Sequence, residues 1–572
     1  MPDKLTTYKQ AQVPVSERNR LWPLYGAGFE SLGRDGQPIE VESPAFGPDE
    51  LLVRHDAVGL CFSDTKVIRA GESHPRVHGD MRANPVVLGH EVTMTVVGVG
   101  ESLRDQYHLG DRFIMQADIF FGGVNFTYGY VLQGGLSQYN AIDQRVLNGD
   151  HGCYLIPVQP RIGYAEAALT EPWTCVTAAY RLTYRTGLKP GGTTWIIGAN
   201  QRISESRYTI SAGFDETSHP ACLLLTDVPD DFAAWLRARA EALGVEILAV
   251  ADVSSLPVEQ VDDIIILDAD ADLIEAASPH LAQFGILVVI ADEPLSRKVA
   301  IDVGRVHYNR WLYVGGPGPD IACAYSRVPV RSTLRPGGAT WFVGAGGPMG
   351  RMHVQRAIEA PDGPKTILCT ARSDRRLRGV ESLYRADAEA RGITFTCISR
   401  EDETAYRQTL KQVGQAGFDD IVVLAPAASA IEEAAAYLAP GGVMNVFAGI
   451  PRGTMADLDL SDVTLKDIRF IGHSGLTTED MRLTLHEVEL GRLSPNRLVA
   501  AVGSLNAARD GLRAVRDGTF SGKVVIFPHI EDLPLTALPD LKDKLPSVYA
   551  RLKDGCEWTV EAEAEFLRLM LP

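Results

Sequence analysis

Three short stretches carry side chains that could share one metal ion. Gly59-Leu-Cys61-Phe-Ser63-Asp64 closes an apolar run, Gly89-His90-Glu91 follows it, and Glu171-Pro-Trp-Thr-Cys175 comes later. A cysteine, a histidine and carboxylates make a borderline-soft donor set that suits a tetrahedral zinc ion. In isolation one cysteine and one histidine this far apart are a weak signal, because such pairs are commonly unrelated core residues.

A second chemistry lies in Gly344-Ala-Gly-Gly347-Pro348-Met349-Gly350, between the apolar run ATWFV and the helical segment GRMHVQRAIEA. The first glycine allows a tight turn, the second a close approach of backbone to pyrophosphate, and the third close packing of helix on strand. Pro348 suits a first helical turn, and the helix N-terminus would hold the pyrophosphate. The next strand ends TILCT-Ala371-Arg372-Ser-Asp-Arg-Arg376. An NAD site needs an acid at that end for the ribose hydroxyls, and Ala371 stands there. Arg372 and Arg376 would instead bind a 2′-phosphate, so the expected cofactor is NADP(H). Asp374 is the alternative candidate for the acid.

Between the first two motifs runs KVIRAGESHPRVHGDMRANP, read as a loop. Its Lys66, Arg69, His74, Arg76, His78 and Arg82 face only Glu72 and Asp80. Lys66, Arg69 and Arg76 are candidates to bind an anionic substrate such as a sugar phosphate. A solvated loop and an uncharged polyol or ketose are the alternative.

The elements that must position these groups repeat. LKPGGTTWIIGAN at Leu188 returns as LRPGGATWFVGAG at Leu334, 146 residues on; VDDIIILDADADLIEAASPHLAQFG at Val261 returns from Phe418, 157 residues on. The second copy therefore holds about eleven extra residues between its first and later strands. Each copy alternates β-branched runs with helical periodicity, which predicts βαβ units and a doubly wound parallel sheet. In the first copy the loop Gly198-Ala-Asn-Gln-Arg202 has no further glycine, although Asp227 stands where an NAD site would place its acid. The expectation is a degenerate domain that keeps the fold without the ligand; a regulatory nucleotide site is the alternative. Residues 1–187, rich in short strands and turns, predict an antiparallel, partly barrel-like domain.

At 572 residues the chain has room for about three or four domains. Its net charge of −18 disfavours nucleic acid and anionic lipid as partners. No run of about 18 apolar residues predicts a membrane span, and the N-terminus lacks a signal-peptide core. The eight cysteines form no CxxC pair, which fits a reduced, cytoplasmic enzyme.

Together GLCFSD, GHE, the GDRF at Gly110–Phe113 and EPWTC resemble the zinc-containing medium-chain dehydrogenases, above all sorbitol dehydrogenases and bacterial L-sorbose-1-phosphate reductases. The TARS…R ending of strand two resembles the NADP(H)-dependent ketose reductases of that group. The likeness covers residues 45–190 and 335–555; residues 189–334 depart from it as an inserted copy. The resemblance implies an α/β chain. A GroES-like, zinc-binding catalytic domain would span 1–188, a degenerate Rossmann-like domain 189–334, an NADP(H)-binding Rossmann domain 335–475, and a return to the catalytic domain with a helical tail 476–572. It further implies one catalytic zinc on Cys61, His90 and Glu91, with Glu171 bound directly or through water, and Ser63 as the proton-relay hydroxyl. The second, structural zinc of many relatives needs four close cysteines after GHE, and residues 92–150 hold none. The implied reaction is hydride transfer between NADP(H) and a polyol, ketose or sugar phosphate, in a homo-oligomer (dimer or tetramer). A non-catalytic NADP(H) sensor and a metal-free enone reductase are the competing readings.

Overall fold

The computed structural model describes residues 3–198, 208–326 and 331–572. They fall into two compact units: residues 1–177, 347–352 and 475–572, and residues 178–346 and 353–474.

The first unit is built on an eight-stranded sheet. Its central strands Leu51–Gly59 and Glu91–Val99 pair antiparallel, and Lys523–Phe527 pairs with the end of the former. Leu51–Gly59 is buried at every position, so it lacks the alternation of a half-solvated strand. Its polar residues are satisfied inside: Arg54 pairs with Asp56 at 2.8 Å, Thr95 donates to Asp56, and His55 meets Ser137 O and Tyr128 Oη.

The second unit holds two six-stranded parallel sheets of one topology. In space the first runs Glu246–Ala249, Cys222–Thr226, Thr193–Gly198, Val261–Leu267, Leu281–Ile290, Leu312–Gly316. The second runs Thr394–Ser399, Thr366–Ala371, Ala339–Val343, Phe418–Val423, Leu438–Val446, Arg469–Gly472. Both have the order 3-2-1-4-5-6 of the Rossmann fold. The repetition extends to side chains. Trp195 Nε1 donates to Thr226 and Trp341 Nε1 to Thr370, each at 2.9 Å. Buried Asp263 and Asp420 each bind an arginine from the preceding segment, Arg185 and Arg331.

The copies differ where the sequence offset changes. The extra residues of the second build chiefly helix Glu403–Val413, where the first has only the turn Val253–Ser255. After its first strand the second copy has helix Pro348–Glu359. Among the described residues the first copy has no helix between Thr193–Gly198 and Cys222–Thr226. Residues 199–202 of the glycine-poor loop lie outside the described residues. In AIEEAAAYLA the helix ends at Ala435, and Leu438 already opens the next strand.

Candidate functional site

Strand register brings the first chemistry together. Gly59 pairs with Glu91 on one side and with Val525 on the other. Cys61 therefore follows the shared end of the sheet, His90 precedes its partner strand, and Lys523 arrives from the third. A Cβ at Gly59 would stand 2.2 Å from Glu91 Oε2, so this position is glycine to make room for the carboxylate. Ligand atoms of Cys61, His90 and Glu91 all lie within 4.8 Å of one another.

Helix Phe62–Ala70 starts at Cys61, its N-cap. Asp64 serves two partners. Its Oδ2 accepts from Cys61 N at 3.0 Å, and its Oδ1 lies 3.1 Å from His90 Nδ1. A carboxylate behind one ring nitrogen fixes the ring so that the other nitrogen faces the centre. Ser63 Oγ donates to Cys61 Sγ at 2.9 Å and lies 3.4 Å from His90 Nε2.

Glu91 is fully buried. Its Oε1 accepts from Lys523 Nζ, which also donates to Leu60 O at 3.1 Å. Among the described residues its Oε2 has no hydrogen-bond partner. A buried carboxylate oxygen left open beside a thiol and an imidazole is the donor set a zinc ion satisfies, so these residues fit the group.

Glu171 lies on helix Thr170–Ala179, outside the 4.8 Å group. Burial pushes its carboxyl up to about 7, with His90 and Lys523 working against the shift and Glu91 adding to it. Cys175, one turn on, is raised well above the ordinary thiol value, first by burial and then by Glu171 and Cys61. Burial opposes charge on His90, but Tyr130 and Asp64 outweigh it and raise its pKa. Lys523 is likewise raised against its burial by Glu91 and Cys61.

The basic segment is not all loop, which corrects the sequence reading. Lys66 and Arg69 belong to helix Phe62–Ala70, which the Cys61–Asp64 cap starts. The guanidinium of Arg76 is paired with Asp118 at 2.6 Å. His74 reaches the centre through rings: it packs edge-on against Tyr130 at 5.6 Å, and Tyr130 against His90 at 5.5 Å. His74 is held below the ordinary imidazole value by burial, then by Arg76 and Lys66.

In the glycine loop Gly344 has φ +93°, and helix Pro348–Glu359 starts at the proline. Gly350 is buried, and a Cβ at Gly347 would meet open space. Ala371 ends strand Thr366–Ala371, with exposed Arg372 after it. Arg376 is pushed below its ordinary value by burial and by the charges of Arg375 and Arg372, so three guanidiniums share this strand end. Asp374 begins helix Asp374–Ala390 and pairs with Arg378. In the first copy Asp227 has φ +47°, and a Cβ at Gly198 would lie 1.9 Å from its carbonyl oxygen.

Asp64, Tyr130, Arg375 and Lys523 were not singled out from the sequence. Asp64 had a signal, standing three residues after a helix-starting cysteine. Lys523 had a fainter one, a lysine opening the apolar run KVVIF.

Residues 47–148 match the alcohol dehydrogenase GroES-like domain. Mannitol-1-phosphate 5-dehydrogenase of Aliivibrio fischeri is 26% identical over 513 residues, covering 88% of this chain and 86% of its own. The uncharacterized protein YggP of Escherichia coli is 23% identical and covers 89% of this chain and 88% of its own. L-Sorbose 1-phosphate reductase of Klebsiella pneumoniae is 23% identical, covering 92% of each. These likenesses, added to the antiparallel domain and the paired Rossmann sheets, make the chain similar to the alcohol dehydrogenase-like, medium-chain oxidoreductases.

Proposed function

We propose that the chain is a zinc-dependent oxidoreductase that interconverts an alcohol and a carbonyl group on a sugar phosphate, using NADP(H). The observation that carries this reading is the unpartnered, buried Oε2 of Glu91 beside Cys61 and His90. Cys61, His90 and Glu91 would hold the ion, with Glu171 next to them. When bound, zinc supplies Lewis acidity toward the substrate oxygen, and NADP(H) supplies or accepts the hydride.

The chain's own residues prepare that chemistry. Asp64 fixes the His90 ring, and Lys523 takes one oxygen of Glu91 while leaving the other open. Ser63 Oγ, already at the mouth of this group, passes the proton of the substrate hydroxyl. Gly344, Gly347, Pro348, Met349 and Gly350 form the pyrophosphate loop. Ala371 leaves room where an acid would repel a 2′-phosphate, and Arg372, Arg375 and Arg376 attract it.

A phosphorylated substrate is favoured over a bare polyol by two observations. The ring chain His74–Tyr130–His90 ties the basic segment to the centre. His74 is depressed first by burial, and the charges of Arg76 and Lys66 beside it add to the shift. Two relatives covering most of the chain carry sugar or polyol phosphates in their names. The first Rossmann copy is read as ligand-free: among the described residues no helix follows its first strand, and the Asp227 backbone closes on Gly198.

Elemental analysis and a screen of NADP⁺ reduction over polyols, sugars and their phosphates test the reading. One zinc per chain and turnover confined to phosphate esters are expected. Full activity in metal-free protein refutes the metal assignment, and equal turnover of the unphosphorylated polyol refutes the substrate class.

A further inference from the structure

The contact between the two Rossmann copies obeys a two-fold rule. After its fifth strand each copy sends out a short strand, Val299–Asp302 in the first and Met455–Leu458 in the second, and these pair antiparallel. In this region equivalent residues lie 157 apart, as from Leu312 to Arg469 in the sixth strands. Ala300 faces Asp457, its own equivalent, so the symmetry axis passes through that pair. On either side Val299 faces Leu458 and Ile301 faces Ala456, which are two views of one contact.

The reciprocity continues away from the strands. A Cβ at Gly315 would stand 2.5 Å from Thr464 Oγ1, and a Cβ at its equivalent Gly472 would stand 2.7 Å from Cα of His307, the equivalent of Thr464. Gly304 packs on the backbone of Pro451 and Arg452. Its equivalent Ser461 accepts from Leu295 N at 2.9 Å. Arg310 and its equivalent Asp467 both take positive φ, +54° and +59°. Val299, Ile301, Val303 and Val306 of one copy share a single buried core with Ala456, Leu458, Leu460 and Val463 of the other.

An interface in which residue i meets j and j's equivalent meets i's is the isologous type by which two identical subunits associate. We infer that the inserted copy is a built-in second subunit. It occupies, within one chain, the face of the cofactor-binding copy that would otherwise receive a second molecule, so the chain does not self-associate through strand Met455–Leu458. The inference rests on the packing of the copies and stands whatever the substrate.

Cysteine pairing in the full chain tests it, in a background with exposed Cys323 and Cys556 changed to serine. Ala300→Cys with Asp457→Cys, oxidised, should give a cross-link inside one chain, seen as a mobility shift at single-chain mass. Asp457→Cys alone should give no linked dimer, although two chains meeting on this axis would place the two thiols face to face. A linked dimer from Asp457→Cys overturns the inference, as does an oxidised double variant whose thiols stay reduced or join two chains. Gly472→Leu, which drives a side chain into the His307 backbone, should lower the thermal midpoint; an unchanged midpoint also overturns the inference.

Discussion

Lys523 and Glu91 are 5% and 0% exposed at their side chains and bind each other. Changing Lys523 to methionine keeps most of the packing volume but leaves the Glu91 carboxylate buried with neither oxygen paired. Breaking a buried ion pair from one side costs about 3–5 kcal/mol, because the remaining charge is uncompensated. At about 1.4 kcal/mol per tenfold, the folded-to-unfolded ratio should fall at least a hundredfold. Changing Glu91 to glutamine as well removes that charge, and the double variant should recover much of the loss. Zinc should also reduce the cost of Lys523→Met, because the cation supplies the compensation that the ammonium gave up. Urea unfolding of the four proteins of the cycle, with EDTA and with zinc, measures all of this. A loss below about 1 kcal/mol for Lys523→Met, or a double variant no more stable than Lys523→Met, refutes the reasoning, since surface-like pairs show values that small.

Asp64→Asn keeps the hydrogen-bonding shape but removes the charge behind His90, and zinc affinity read by chelator competition should fall about 10–100-fold; unchanged affinity refutes the orienting role. Arg372→Ala should weaken NADPH binding far more than NADH binding, because only NADPH carries the extra phosphate; equal losses in fluorescence titrations show that strand two was misread. Burial holds His55 down at about 4 from an ordinary 6.5. The unfolded chain therefore takes up this proton at a higher pH than the folded one, and His55 stabilises the fold above about pH 6.5 and ceases to as pH falls through 4. At about 1.36 kcal/mol per unit this is about 3 kcal/mol, less any relaxation of the site. Urea midpoints at pH 7 and pH 4.5 should differ accordingly, and by less in His55→Gln; an equal difference in both proteins removes His55 as the cause.

The repeat was legible because each Rossmann copy is written in local signals: apolar runs of strand length, helical spacing between them, and glycines at fixed places. The same holds for Cys61, Ser63 and His90-Glu91, whose spacing follows from two adjacent antiparallel strands. The extra residues of the second copy were foreshadowed by the change of offset. Local sequence carries no signal where one residue's role depends on another far along the chain. Lys523 meets Glu91 across 432 positions, and nothing local to either names the other; only the pairing of Gly59 with both Glu91 and Val525 does. The charges of the segment after Ser63 point to a solvated loop, whereas Asp64 capping Cys61 winds Lys66 and Arg69 into a helix, and Arg76 pairs with Asp118. The two-fold contact between the copies was likewise invisible from the repeat. Similar sequences fix similar surfaces, but whether two such surfaces meet each other or a second chain is decided by tertiary packing, through the register of four residues on each side and the glycines that let the backbones approach.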